Sequence, residues 1–178
     1  EFRRVLFRSL SRIRSPDATL ALATLAVDHA DPETRIAAAE RLVAIGPQPV
    51  MPMIVAALAS PDNARVNRAA EAIGRLVEPG PLDAQLVGAL IAALQTQHMA
   101  LAGDGTPEGS TTATFTPSGG GLSVGGGTKR VKVPVRNDAV LETLVAITGA
   151  NFEWDVAAWQ TWLASRESRA DEDLRRGW

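Results

Sequence analysis

The feature of this sequence that most restricts its fold is a repeat with a period near 30 residues. The segment AAERL at Ala38–Leu42 returns 31 positions later as AAEAI at Ala69–Ile73. A helix-start signal at Pro32 returns 29 positions later at Pro61. A period of this length, carried by two helices, is typical of proteins in which each unit buries its apolar face against the next. The sequence therefore predicts a stack of antiparallel helix pairs.

The ends of the predicted helices are marked by capping residues, prolines and glycines. Ser15-Pro16-Asp17, Asp31-Pro32-Glu33 and Ser60-Pro61-Asp62 each place an N-cap residue before proline and an acid in the first turn. Gly46-Pro47 and Pro79-Gly80-Pro81 are stop signals. Between these signals the apolar residues recur at spacings of three and four, as on one face of a helix. The predicted helices span 17–29, 32–45, 49–59, 62–77 and 82–96.

The repeated units resemble the HEAT-repeat family. The resemblance rests on DPETRIAAAERLVAIG followed by PVMPMIVAALAS, and on NARVNRAAEAIGRL, and it covers roughly residues 15–98. It implies a mainly α fold, an alpha solenoid in which each outer helix pairs with an apolar inner one. The pairs are 32–45 with 49–59 and 62–77 with 82–96, and the helix at 17–29 is the second half of a preceding, truncated unit.

Two positions depart from the family pattern, which usually has valine followed by arginine. The first unit has Thr34-Arg35 at this place and the second has Val66-Asn67. An ordinary alanine-rich helical bundle is the alternative fold. The family implies binding of other proteins, but it implies no single partner and no reaction.

Residues 99–136 interrupt the helical period with a segment rich in glycine and threonine. Alternation at Thr112–Thr116 and again at Val131–Val135, on either side of the glycines, predicts a β-hairpin inserted before the last helix pair. Pro134 marks the second strand as an edge strand. The basic residues of that strand, beside an acidic body, form a candidate interaction surface: Arg130, Lys132 and Arg136.

Residues 137–166 predict a closing helix pair, followed by a charged, frayed tail at 167–178. Phe152, Trp159 and Trp162 are predicted to form a structural cap; stacking of the tryptophans on a base or sugar is the alternative. The region also resembles a terminal motif of certain bacterial HEAT-repeat proteins, from which Glu153 and Trp154 depart in place of the expected small and aromatic residues. The residues that match the motif are Thr148-Gly149, Asn151-Phe152, Asp155, Ala158-Trp159 and Trp162.

Composition removes most kinds of catalytic and metal site. The chain has no cysteine, no tyrosine and two histidines, and its net charge is −2. Thiolate sites are therefore excluded and general acid–base residues are few. His29, between Asp28 and Asp31, is the one candidate metal ligand, and its alternative role is a favourable interaction with a helix C-terminus. We expect no cofactor, no metal and no nucleic-acid partner.

Residues 1–9, EFRRVLFRS, resemble a translated sequencing adapter and are interpreted as a non-native scar. The genuine chain is then a metagenomic fragment that lacks its N-terminal part, and its acidic excess is larger because three arginines leave with one glutamate. A signal peptide, an anchor or a further domain could precede it. Localisation stays open, since a chain without cysteine fits both cytoplasm and periplasm.

These features together predict a protein–protein interaction scaffold without catalysis of its own. Two other functions stay open at this point. One is an accessory segment of a HEAT-like lyase or another enzyme whose catalytic part lies upstream. The other is a HEAT-like fold for nucleic-acid repair, against which the acidic balance argues.

Overall fold

The structure is a computed structural model that describes residues 15–77, 83–102, 111–116, 119–124 and 129–176. The predicted scar at residues 1–9 lies outside these residues. The chain divides into a helical unit, which runs to Thr96 and resumes at Arg136, and a second unit at Gln97–Val135. The second unit coincides closely with the segment 99–136 that interrupts the helical period.

The described part of the chain is mostly helical, as predicted. The prediction for 49–59 begins as a 3₁₀ turn at Gln48–Val50, and the prediction for 82–96 is too long, because the chain is extended from Gln95. The helices are α1 Pro16–Asp28, α2 Pro32–Ile45, α3 Met51–Ala57, α4 Asn63–Leu76, α5 Ala84–Ala93, α6 Asp138–Thr148 and α7 Val156–Arg176.

Helix α7 continues to Arg176, through most of the segment that the sequence analysis assigns to a frayed tail. The sequence there places acids four residues before arginines, at Asp171 and Arg175 and at Glu172 and Arg176. This spacing and orientation stabilises an isolated helix by about 0.2–0.5 kcal/mol per pair. The charge pattern of the sequence therefore favours helix where the apolar pattern gives no signal.

Short polar side chains begin the helices, and one of the predicted caps is displaced. Ser15 accepts a hydrogen bond from the Ala18 amide, and Asp31 accepts one from the Thr34 amide, so both predicted N-caps are confirmed. The predicted cap at Ser60 is wrong: Asp62 is the N-cap of α4. Ser60 instead accepts a bond from the Asp62 amide and so orients the residue that caps the helix.

Small residues let the helices approach closely. A Cβ atom added at Gly74 of α4 would lie 3.2 Å from Thr143 Oγ1 of α6, and that hydroxyl donates to the Ala70 carbonyl at 3.0 Å. Helix α2 packs against α1 and α4, α4 packs against α6, α1 packs against α3, and α5 packs against α7. The core is continuous through these contacts, and its largest fully buried side chains include Leu22, Leu42, Ile54, Ile73, Leu90, Leu144 and Trp159.

Two arginines close the C-terminal end of α1. Arg68 Nε donates to the Val27 carbonyl at 2.8 Å, and Arg35 donates to the carbonyls of His29 and Ala30 at 3.2 and 3.1 Å. The last carbonyls of a helix lack intrahelical partners and carry the negative end of its dipole. Cations from α2 and α4 therefore bind the end of α1 and fix the angle at which the chain turns.

A third arginine reaches the same place from α4. Arg65 forms a two-point ion pair with Asp28, at 2.7 Å from Nε to Oδ1 and 3.3 Å from the second guanidinium nitrogen to Oδ2. The hydrogen bond to Asp28 and the charge of that carboxylate raise the pKa of Arg65 above its ordinary value. Since the pair is exposed, it contributes at most about 1 kcal/mol to stability.

The described strands form two separate two-stranded sheets, and the predicted pairing of the hairpin is wrong. Strand β2 (Thr111–Thr116) pairs with β3 (Gly119–Val124) in an antiparallel register that runs from Thr111 opposite Val124 to Thr116 opposite Gly119. The predicted second strand belongs to β4 (Lys129–Arg136), which pairs with β1 (Gln95–Ala102). Only two residues separate β2 from β3, so pairing these strands costs less loop-closure entropy than pairing β2 with β4 would.

The chain returns from the second unit to the point where it left the first. Asn137 is fully buried, and its amide nitrogen donates to the Ala93 carbonyl at 2.8 Å and to Thr96 Oγ1 at 3.3 Å. Its backbone N–H donates to the Leu94 carbonyl at 3.0 Å. These bonds join the residues just before the second unit to the residue just after it.

Asn67 of α4 completes this network. Its side-chain nitrogen donates to Asn137 Oδ1 at 3.1 Å, and its side-chain oxygen accepts from the Ala139 amide at 3.1 Å. Asn67 stands where the HEAT pattern usually has arginine. The amide group of asparagine both donates and accepts, whereas a guanidinium only donates, so asparagine can bind both Asn137 and the first turn of α6.

We expect Asn137→Ala to lower the free energy of unfolding by about 2 kcal/mol, because it removes the buried hydrogen bond to the Ala93 carbonyl and the bond to the Asn67 side chain. Urea unfolding followed by circular dichroism measures the change. Asn63→Ala is the matched control, since Asn63 begins the same α4 without a side-chain bond among the described residues, and it should shift the free energy by less than about 0.5 kcal/mol. Equal effects of the two changes would contradict the network.

Candidate functional site

A groove with a volume of about 990 Å³ lies in the helical unit. It is lined by the last turns of α2 and α4, by the length of α3 and by the first turn of α5. Ile147 of α6 also lines it. The other described residues that line it are Val43, Pro47, Gln48, Met51, Pro52, Val55, Ala56, Arg75, Leu76, Val77, Asp83, Gln85, Leu86 and Val87.

The groove has an apolar floor and few charges. Leu76, Leu86 and Val87 are buried beneath it, and Met51 and Val55 are half-buried in its wall. Apolar side chains that line a concave surface favour contact with apolar groups of a ligand or partner. Methionine adds a flexible, polarisable side chain that adapts to differently shaped partners.

The two charged residues of the groove differ in their surroundings. Asp83 is the N-cap of α5, and its Oδ1 atom accepts from the amides of Gln85 and Leu86 at 2.9 and 3.3 Å. Arg75 is exposed in the last turn of α4 and forms no ion pair with any carboxylate among the described residues. The carboxylate of Asp83 therefore stabilises the start of α5, while the Arg75 guanidinium lines the groove without a carboxylate partner in the part of the chain that the structure describes.

Sequence reasoning did not identify this groove. It treated 49–59 as one apolar inner helix, and the structure divides the apolar residues of that segment between two places. Val50, Ile54 and Leu58 are buried in the core, whereas Met51 lines the groove. Val43, which also lines the groove, is 47% exposed, and its exposure is visible only in the structure.

The predicted basic surface falls in both units. Arg130 and Lys132 lie on β4 in the second unit, where Lys132 is exposed, and Arg136 belongs to the helical unit. The Arg136 guanidinium lies 5.2 Å from the centre of the Trp154 ring, within the range of a cation–π interaction. The role of these three residues in binding stays a prediction.

The predicted cap residues are in contact with one another. The rings of Phe152 and Trp159 meet edge to face with centres 5.1 Å apart, and Trp162 lies 5.9 Å from Trp159 in a similar arrangement. Trp159 is fully buried in the core and donates from Nε1 to the Glu153 carbonyl at 3.0 Å. Burial and a satisfied indole N–H suit a packing role for Trp159 better than a stacking surface.

Residues of the C-terminal motif shape the turn between α6 and α7. Gly149 has a φ of +70° and ends α6 in the left-handed conformation that favours glycine. Thr148 Oγ1 accepts from the Ala150 amide, and Asn151 Oδ1 accepts from the Glu153 amide. Asp155 then begins α7 by accepting from the Ala158 amide at 2.9 Å. The spacing of the motif is therefore the spacing of a helix stop, a turn and a helix start.

The candidate metal ligands around His29 each have another partner. Asp28 is paired with Arg65, and His29 Nδ1 accepts from the Asp31 amide at 3.1 Å. Asp31 Oδ2 accepts from the amide and the hydroxyl of Thr34. Within residues 15–176, so far as the structure describes them, no group of three potential ligands is positioned to hold a metal ion.

None of the helices in the described part of the chain is long and apolar enough to span a membrane.

Comparison with known proteins supports the resemblance that the repeats suggest. A family model of HEAT repeats matches residues 1–74, about two fifths of the chain. The match ends within α4, so α5, the second unit, α6 and α7 lie outside it. No curated protein and no solved structure matches the chain.

We expect Trp159→Ala to destabilise the helical unit by about 3–5 kcal/mol, because it removes a fully buried ring and leaves a cavity. Trp162→Ala should cost less, since Trp162 is only half-buried. Urea titration of both variants measures the difference. Trp178, which lies outside the described residues, supplies the sequence-based control, and Trp178→Ala should leave the midpoint unchanged. An unchanged midpoint for Trp159→Ala would contradict the cap.

Glu153 has a φ of +50°, a conformation that costs a residue with a Cβ atom about 1 kcal/mol or more. The motif that the sequence resembles predicts a small residue at this place. We expect Glu153→Gly to raise the free energy of unfolding by about 1 kcal/mol, the strain that it removes. Glu142→Gly in the middle of α6 is the matched control and should lower it by about 1 kcal/mol. Chemical denaturation distinguishes the two signs, and a loss in both variants would contradict the strain.

Proposed function

We propose that this chain is a protein–protein interaction scaffold with a solenoid arrangement of its helix pairs and no catalysis of its own. The observation that supports the proposal is the packing of alternate helices. Helix α4 packs on α2 and on α6, α1 packs on α3, and α5 packs on α7. Repeat stacks of this kind form extended surfaces, and HEAT repeats generally mediate protein–protein interaction.

The β ribbons interrupt this series of helices without ending it. The network of Asn137 and Asn67 returns the chain to α5, so that α6 packs on α4. Phe152, Trp159 and Trp162 then cover the last helix pair. We propose that this cap is the terminal motif of a bacterial HEAT-repeat protein, in which only the end of the stack needs aromatic cover.

Binding without catalysis is supported by the structural use of acidic side chains. Asp31, Asp62, Asp83 and Asp155 each cap a helix. Asp28 is held by Arg65. A carboxylate held by backbone amides or by a guanidinium is fixed in one orientation and loses the freedom that a general acid or base needs.

A protein partner is favoured over a nucleic acid. The net charge of −2 gives no general attraction for phosphate. Three arginines that a nucleic acid would need, Arg35, Arg65 and Arg68, bind the C-terminal end of α1 instead. The basic residues Arg130, Lys132 and Arg136 remain a candidate second contact for an acidic protein surface.

A displayed library of random peptides of about 16 residues tests the proposal. We expect the immobilised full chain to retain a reproducible family of sequences at physiological salt, because scaffolds of this kind bind segments of other proteins. An unrelated helical bundle of similar charge is the control and should not retain that family. If no family is enriched, or if a DNA duplex of random sequence is retained instead, the proposal is wrong.

A further inference from the structure

The side chains that line the groove between α3, α4 and α5 indicate the kind of ligand that it binds. We propose that it binds an apolar peptide segment of a protein partner, and that a carboxylate of this segment pairs with Arg75. This inference rests on the proposed scaffold function and names the surface and the partner chemistry that serve it.

The apolar part of the argument comes from the walls of the groove. Met51, Val55, Val77 and Ile147 are half-buried there, and Val43 is 47% exposed at its rim. Aliphatic side chains that lie together on a concave surface gain free energy when a partner removes them from water. The volume of about 990 Å³ is at the upper end of ligand pockets, which suits several side chains of a peptide better than one small molecule.

The charged part of the argument comes from a comparison of the arginines. Arg35, Arg65 and Arg68 all have carbonyl or carboxylate partners within the helical unit. Arg75 has none among the described residues, and the carboxylate that shares the groove, that of Asp83, already accepts two backbone amides of α5. A guanidinium beside an apolar surface binds a carboxylate more strongly than one in open water, because the surface excludes solvent from the pair. Charge complementarity therefore favours an acidic residue in the bound segment.

The position of the groove also separates it from the inner faces of the helices. Its described residues come from the ends of α2 and α4, from the length of α3 and from the beginning of α5. Helix ends are fixed here by Asp83 and by the glycine stop at Gly46. The surface is therefore held in shape before a partner arrives, which lowers the entropy that binding costs.

Two matched glutamate substitutions test the location. Ala56 lines the groove and Ala92 does not, and both are exposed residues next to the last residue of a helix, α3 and α5. We expect Ala56→Glu to weaken the peptides enriched on the wild-type full chain by about tenfold or more, through bulk and through repulsion of the acidic segment, a change that corresponds to about 1.4 kcal/mol. Ala92→Glu should change their affinity less than about twofold.

A charge exchange tests the role of Arg75. Arg75→Glu should weaken peptides that carry an acidic residue, and replacing that residue by lysine should restore binding to this variant. Arg41→Glu is the matched control, since Arg41 is exposed on α2 outside the groove. Fluorescence anisotropy with labelled acidic and lysine peptides measures the affinities of the wild type, Arg75→Glu and Arg41→Glu. Circular dichroism melting confirms that each variant is folded.

The outcomes separate the groove from the scaffold function. If enriched peptides bind Ala56→Glu as tightly as the wild type, the groove is not their site, although the scaffold function stands. If Ala56→Glu loses binding, but Arg75→Glu binds the acidic peptides as tightly as the wild type does and gains nothing from the lysine peptides, the proposed contact between Arg75 and a carboxylate is wrong. If the library yields no enriched family, the scaffold function and the groove fall together.

Discussion

The helical unit is built from two stretches of chain, and the buried side chain of Asn137 holds them at one point. Its bonds to Ala93 and Thr96 place the end of α5 beside the start of α6, and its bond to Asn67 ties both to α4. Without this return, α4 and α5 would each expose the face that α6 and α7 cover. A polar group buried at such a crossing favours one arrangement of the helices, because any other arrangement would leave it without hydrogen-bond partners.

The use of charged side chains at helix ends also indicates which residues are available for function. Most charged side chains that the structure describes near the core are engaged with helix ends: arginines bind the carbonyls at the end of α1, and aspartates accept the first amides of α2, α4 and α5. These contacts set the angles between successive helices. Arg75 stands apart from them because it lies at the end of α4 beside an apolar groove. Arg75 is a candidate for binding because no described residue forms an ion pair with it.

Much of the helical unit follows from local chemistry and could be predicted. The proline and aspartate signals fix the starts of α1 and α2, and the glycines at 46 and 149 fix the ends of α2 and α6. The aromatic cluster was also predictable, because Phe152, Trp159 and Trp162 lie on one short turn and the first two turns of a helix. In each case the residues that interact are fewer than about twelve positions apart, so sequence spacing alone places them together.

The sequence by itself therefore determined most helix starts and stops, the repeat of the segments AAERL and AAEAI, and the contact among the aromatic residues. The tertiary structure alone decided the pairing of β1 with β4, the bond between Asn67 and Asn137 across 70 positions, and the groove at the ends of four helices. Partners far apart in sequence leave no periodic pattern, since their meeting depends on how whole helices pack. Asn137 shows this limit best: its position predicts an N-cap, yet its side chain makes no capping bond and instead joins three distant segments.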